Sequence, residues 1–283
     1  MTRLESDYYA HMDFDPYGEH ARKVQWFYVE MLAGQAPVLD LGCGRGEFLA
    51  LLAEAGIEGR GVDSDEGMVE KARARGFEVA CEDAIGYLHR DPAPGPFKGV
   101  FCAHFVEHLA PDQVARLLAG VRRVLAPGGV FVAATPNPAC YAVLTHDFWR
   151  DPTHVRFYDG PLLEFLCRQA GLEVEACGPN PHNHPGPPPE FLAREPVVHP
   201  GLEDVLDAAL DKVGMAMQHQ GRGRWTEAHD PAWIYQLVHV TKVLSERLQR
   251  TEEALRALQK AHDNLVWGLY EANEIFVRAR LTP

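Results

Sequence analysis

Val38-Leu39-Asp40-Leu41-Gly42-Cys43-Gly44-Arg45-Gly46-Glu47-Phe48-Leu49 constrains the fold of this chain more than any other stretch. Val38, Leu39 and Leu41 read as a short buried strand. Gly42, Gly44 and Gly46 let the backbone turn sharply and come close to a ligand. Phe48 and Leu49 open a helix whose free N–H groups face that ligand. Asp40, at the strand end, would repel a pyrophosphate but could pair with an ammonium group. Gly61-Val62-Asp63 supplies a second acid about twenty residues on, where a carboxylate takes a ribose diol. A cationic, ribose-bearing ligand therefore fits better than a dinucleotide, and an oxidoreductase is disfavoured.

The rest of the first 180 residues repeats the strand-then-helix unit. Residues 17–33 read as a leading helix with Val24, Phe27, Tyr28 and Met31 on one face. Strands are expected at 36–41, 59–63, 77–80, 99–103, 130–134 and 172–177. Helices are expected at 46–55, 65–75, 112–125 and 161–170, the first two ended by Gly56 and Gly76. Alternation of this kind implies a mostly parallel, doubly wound sheet. Ligands bind such sheets at the C-terminal strand ends. Asp40, Asp63, Asp83 and His104 all fall at expected strand ends, so they converge on one edge.

On these residues the chain resembles the class I S-adenosylmethionine (SAM) methyltransferases. Asp40-x-Gly42-x-Gly44-x-Gly46 matches their first motif, Leu125-x-Pro127-Gly128-Gly129 resembles their turn into strand five, and the likeness runs from about 35 to 178. The resemblance implies a Rossmann-like seven-stranded fold and SAM as cofactor, released as S-adenosylhomocysteine (SAH). It implies a cofactor site built from Asp40, Gly42, Gly44, Gly46, Asp63, Ser64, Asp83, Ala84, His104 and Phe105. Asp83 would accept from the adenine amino group, and it could also cap the helix beginning at Ala84. The leading helix resembles one that closes over SAM, with Tyr17, Arg22 and Gln25 as candidate carboxylate contacts.

Thr135-Pro136-Asn137-Pro138 and Asp151-Pro152-Thr153-His154 resemble segments of bacterial surface-glycan methyltransferases, including the chain-terminating enzymes of O-antigen synthesis. That likeness implies a sugar, glycan or phosphosugar acceptor. A hydroxyl acceptor must lose a proton, and histidine suits that task near neutral pH. His154 is the first candidate base, with His104 and His146 behind it and Asp151 to orient the imidazole. Arg150 and Arg156 are candidates for an acceptor phosphate or carboxylate. His104 and His108 could share a metal at helical spacing, but no further ligands stand nearby, so no metal is expected.

After strand six, 179–189 is rich in Pro, Gly and His, and His182 and His184 read as an exposed loop. Residues 202–217 read as an amphipathic helix. Trp233-Ile234-Tyr235-Gln236-Leu237-Val238-His239-Val240 is β-branched and aromatic and reads as a delayed strand seven, making 179–232 an insertion. Leu244, Leu248, Thr251, Leu255, Leu258, His262, Leu265, Leu269, Ala272 and Phe276 recur at steps of four and three, a heptad seam. A helix over that span is about 50 Å long. The expected divisions are thus a helical cap at 1–35, a methyltransferase domain at 36–241 and a coiled-coil helix at 242–283 that dimerises or docks a partner.

Composition narrows the function classes. A net charge of −13 argues against nucleic acid. No apolar run reaches the length of a membrane span. The N-terminal residues lack the apolar core of a secretory signal. The six cysteines form no CxxC pair and read as free thiols of a cytoplasmic protein. An O-methyltransferase is the first expectation. A quinone-type or other small-molecule methyltransferase and a non-catalytic scaffold working through its coiled coil are the alternatives.

Overall fold

The computed structural model describes residues 19–184, 186–187, 211, 231–269 and 272–282. The chain divides into two units, Met1–Gly186 with Leu269–Pro283, and Pro187–Gly268. Apart from Asp211, the expected helix 202–217 falls outside the described residues, as does Tyr17.

The first unit is built on a seven-stranded sheet. Its strands are β1 (Val38–Leu41), β2 (Gly59–Asp63), β3 (Val79–Cys81), β4 (Phe97–Ala103), β5 (Leu125–Pro136), β6 (Glu173–Pro179) and β7 (Glu274–Arg280). Their order is β3-β2-β1-β4-β5-β7-β6. The first five pair in parallel, and β7 runs antiparallel between β5 and β6. The order reverses between β1 and β4, so their C-terminal ends frame the crevice in which such sheets bind ligands.

Helices cover both faces. On one face α1 (Glu19–Met31), α2 (Glu47–Glu54) and α3 (Glu66–Ala74) bury Tyr28, Phe48, Leu49, Leu52 and Val69 against Val38, Phe101 and Val132. On the other, α4 (Ala84–Leu88), α5 (Pro111–Val124) and α6 (Gly160–Gln169) bury Leu88, Leu117, Val121 and Leu163 against Leu39, Val100 and Phe131. In α5, Val114, Leu117, Leu118 and Val121 fall three and four apart, so one stripe meets the sheet. Each such side chain contributes roughly 1.5–3 kcal/mol of burial.

Caps set the helix starts where the sequence places them. Asp65 accepts from the Met68 N–H at 2.9 Å, Asp83 from Gly86 at 2.7 Å and Asp159 from Leu162 at 3.0 Å. Strand β5 begins five residues before the expected Val130, because Leu125 already pairs with Phe97.

The seventh strand corrects the sequence expectation. Residues 233–240 are helical: they lie in α7 (Pro231–Leu269), the described part of the second unit together with Gly186-adjacent Pro187 and Asp211. The strand is Glu274–Arg280 instead. A short β-branched and aromatic run suits a helix turn as well as a strand, and periodicity alone does not separate them. The heptad seam therefore ends at Leu269. Ala272 and Phe276 are buried in the first unit, Phe276 as part of β7. The expected coiled-coil tail at 242–283 thus contains the last strand of the sheet.

Candidate active site

Gly42 follows β1 with φ +73°, and a Cβ there would stand 2.7 Å from the Phe105 ring. Only glycine lets the turn pass so close beneath Phe105. The Gly42 and Cys43 N–H groups donate to the Val62 carbonyl at 2.9 and 3.2 Å, and Gly44 N–H donates to Asp63 Oδ2 at 2.9 Å. The glycine turn is thereby stitched to the end of β2. Gly46, at φ +81°, caps α2, and a side chain there would meet Phe77 at 2.8 Å.

Above this turn lies a cavity of about 410 Å³. That is within the usual range for a small-molecule site, ~300–1,000 Å³. Gly42, Gly44, Asp63, Ser64, Asp83, Ala84, His104 and Phe105 line it, joined by Val62, Met68, His108, Leu109 and Thr153. Of the expected cofactor residues, Asp40 and Gly46 do not reach the wall. Asp40 is buried, and burial first, then Asp63 and Glu47, pushes its carboxyl well above the usual range. Burial likewise raises Asp63. The described lining residues include no Lys or Arg. This acidic floor fits a cationic ligand such as SAM and disfavours a pyrophosphate.

His104 ends β4 in the left-handed region, φ 49°, which a non-glycine residue occupies at a cost. Two carboxylates hold it there. Its Nε2 lies 3.0 Å from Glu274 Oε2, and its Nδ1 lies 3.4 Å from Glu107 Oε1. Burial opposes the charge, but hydrogen bonds to both carboxylates outweigh it and push the imidazole up to about 10. His104 is therefore imidazolium at neutral pH and has no lone pair for a proton. With both ring nitrogens facing carboxylates, His104 is poorly placed for its expected role as a base.

Glu274 is the residue the sequence reading missed. It is 2% exposed and opens β7. Besides His104 it accepts from Tyr28 Oη at 2.6 Å and from Asn180 Nδ2 at 2.7 Å. Four elements far apart in sequence meet on this carboxylate. Glu107 in turn accepts from Thr135 Oγ1 at 3.0 Å.

The acceptor side holds a different pair. His108, on the wall, has its Nδ1 2.7 Å from Thr153 Oγ1. The Thr153 hydroxyl donates to Asp151 Oδ1 at 2.6 Å, so His108 Nδ1 must donate and Nε2 keeps a lone pair. Burial lowers the His108 pKa; Glu107 opposes that shift and neighbouring His154 adds to it. His154 stands behind it, the two ring centroids 4.7 Å apart. Its Nδ1 donates to the Phe148 carbonyl at 2.7 Å, leaving Nε2 unprotonated in the neutral ring. Asp151 approaches His154 Nε2 only at 3.9 Å and chiefly orients His108 through Thr153.

The remaining candidates lie off the wall. His146 pairs with adjacent Asp147, Arg22 with Glu54 on α2, and Arg156 lies over the Tyr158 ring. Arg150 and Gln25 are not among the lining residues.

Known proteins agree with this geometry. A methyltransferase-domain family model matches residues 18–176, more than half of the chain. A ubiquinone biosynthesis O-methyltransferase of Methylococcus capsulatus is 31% identical over 203 residues, covering 61% of this chain and 82% of that protein. One of Pseudomonas aeruginosa is 30% identical over 177 residues, covering 54% and 71%. In fold, the crystal structure of a SAM-dependent methyltransferase from Archaeoglobus fulgidus superimposes with a TM-score of 0.65 at 23% identity, covering 97% of this chain and 100% of that one. With the glycine turn, the acids at the strand ends and the strand order all in place, the chain belongs to the class I SAM-dependent methyltransferases.

Proposed function

We propose that the protein methylates a phenolic hydroxyl of a small acceptor, the acceptor lying against His108 and Thr153. The observation that carries this reading is the His108 imidazole on the cavity wall, its tautomer fixed by Thr153 and Asp151 so that Nε2 keeps a lone pair. A weak base of this kind suits a phenol, which titrates near ~10, better than a sugar hydroxyl, which holds its proton more tightly. The ubiquinone-biosynthesis names of the relatives support the same acceptor class.

SAM, when bound, supplies an electrophilic methyl on a sulfonium. Asp63 and Ser64 would take the ribose, Asp83 and Ala84 the adenine, and the Gly42–Gly44 turn the methionine part. His104, held between Glu107 and Glu274, shapes the cavity edge. His108 receives the acceptor proton, and His154 stands behind it. Positioning supplies most of the remaining rate.

The test is SAH release with two acceptor sets, phenols and catechols against sugars and phosphosugars. Turnover of a phenol, falling roughly 100-fold in His108→Ala, is the expected result. Turnover of sugars alone would overturn this reading in favour of the glycan acceptor suggested by Thr135–Pro138 and Asp151–His154.

We also infer that α7 pairs with a second copy of the chain. Its heptad leucines Leu244, Leu255, Leu258 and Leu265 are 44% or more exposed, as is Leu269. Unpartnered seams of this kind are completed by another helix.

A further inference from the structure

We propose that Glu274 is a positioning residue for cofactor binding: through His104 it holds the His104–Phe105 side of the cavity against the glycine turn. Glu274 itself is 2% exposed and is not among the described lining residues. Whatever it does for the cofactor it does through a neighbour.

The division of its oxygens identifies that neighbour. Oε1 accepts from Tyr28 Oη at 2.6 Å and from Asn180 Nδ2 at 2.7 Å. Oε2 lies 3.0 Å from His104 Nε2. Tyr28 and Asn180 are neutral donors, and an amide oxygen would serve them as well. A buried charge is costly where a neutral group would do. Only the bond to His104 calls for a carboxylate.

His104 needs an outside anchor. It stands at φ 49°, and a non-glycine residue keeps such a backbone only where its surroundings over-determine it. On the main chain its N–H donates to the Ala134 carbonyl at 2.9 Å, which ties it to β5. Of the two carboxylates on its ring, Glu107 belongs to the same turn, three residues on. Glu274 comes from β7, which pairs with β5 on one side and β6 on the other. It is therefore the anchor that fixes the turn to the sheet. The turn next carries Phe105, whose ring lies where a Cβ on Gly42 would approach to 2.7 Å. His104, Phe105, Gly42 and Gly44 line the same cavity. A change in the His104 backbone swings Phe105 relative to the glycine turn, and the wall goes with it.

The same carboxylate reaches the leading helix. Asn180 also donates to the Val24 carbonyl at 3.1 Å, so with Tyr28 it fastens α1 to the residue that holds His104. One anchor thus serves the helix and the cavity wall together.

Glu274→Gln isolates the role. With its amide oxygen toward Tyr28 and Asn180, the glutamine presents NH2 to His104 Nε2, and two N–H donors do not bond. The reverse orientation sets NH2 against the Asn180 amide donor instead. The full chain is titrated with SAH by calorimetry, with urea melts alongside. SAH affinity is expected to fall about tenfold, which is about 1.4 kcal/mol. In a His104→Asn background, residue 104 tolerates the left-handed backbone without an anchor, and the same substitution should change affinity less than about twofold. Leu163→Ala, a core truncation on α6, shows what lost stability does alone: a lower urea midpoint with SAH affinity held within about twofold. Should Glu274→Gln fail to fold, Glu274→Asp, which keeps the charge but draws it back from His104, enters the same cycle. Unchanged affinity in the Glu274 variant, an equal loss with and without His104, or a matching loss in Leu163→Ala overturns the proposal. The inference rests on the cofactor alone, so failure of every phenol to turn over would sink the acceptor reading and leave this one standing.

Discussion

The imidazole of His104 is held in its charged form by two carboxylates, Glu107 three residues on in the turn after β4 and Glu274 from β7 near the C-terminus. Its folded pKa, about 10, is above the unfolded 6.5. The stability it contributes is therefore complete below 6.5, wanes as pH rises and is lost through about 10. Glu107 and Glu274 are lowered despite their burial, because His104 bonds to them. Their contribution is present above the usual glutamate value and is lost as pH falls through their folded values. His104→Asn keeps a residue that tolerates the left-handed backbone but removes the cation. It should cost roughly 1–2 kcal/mol, because the ring is 56% exposed and solvent screens the pair. Urea melts across pH 5–10 would show a flatter alkaline limb than the wild type; a parallel limb would mean His104 is not the titrating group. Asp40 behaves oppositely. Its folded pKa is raised, so its favourable contribution is confined to low pH and is lost as pH rises through the folded value. Asp40→Asn should raise the Tm of the ligand-free protein at pH 7. A drop in Tm would show that the ionised carboxylate has compensation inside the fold.

At the level of elements, the sequence is legible where a local rule decides the outcome. The glycine turn, the caps Asp65 and Asp83 and the amphipathic stripe of α5 each act within a few residues, and the structure follows them. Strand β7 is different. Glu274-Ile275-Phe276-Val277 is buried at four successive positions, so it lacks the alternation that marks a half-exposed strand. Ala272 and Phe276 happen to continue the heptad count of the preceding helix, and the count runs on past the true helix end. Glu274 is invisible for the same reason: only the sheet order, with β7 between β5 and β6, carries it to His104. His108 was in view but its role was not, because the Thr153–Asp151 relay that fixes its tautomer joins residues more than forty apart. The position of β7 also makes a prediction. Truncation after Leu269 removes the strand that pairs with both β5 and β6, together with the Glu274 network. The truncated chain should lose cooperative unfolding, and hydrogen exchange should show β5 and β6 unprotected. Retained protection there would mean the five parallel strands fold without it.

At the scale of the whole molecule the question is what completes α7. The helix is 39 residues, about 58 Å long. Among its described residues the large apolar side chains at heptad spacing stay exposed, Leu258 and Leu265 each at 67%. No helix among the described residues is long and apolar enough to cross a membrane, so lipid does not account for that seam by spanning. A second copy of the same helix would account for it, with Leu244, Leu255, Leu258 and Leu265 as seam residues and His262 as a polar seam position. Because the described lining residues of the cavity all belong to the first unit, association and cofactor binding should separate. Leu258→Glu with Leu265→Glu places two charges in the seam and should convert a dimer to a monomer in sedimentation equilibrium, with SAH affinity unchanged within twofold. If the wild type already sediments as a monomer, the seam belongs to a different protein. If the double variant loses SAH binding as well, association supports the cavity, and the two units are coupled.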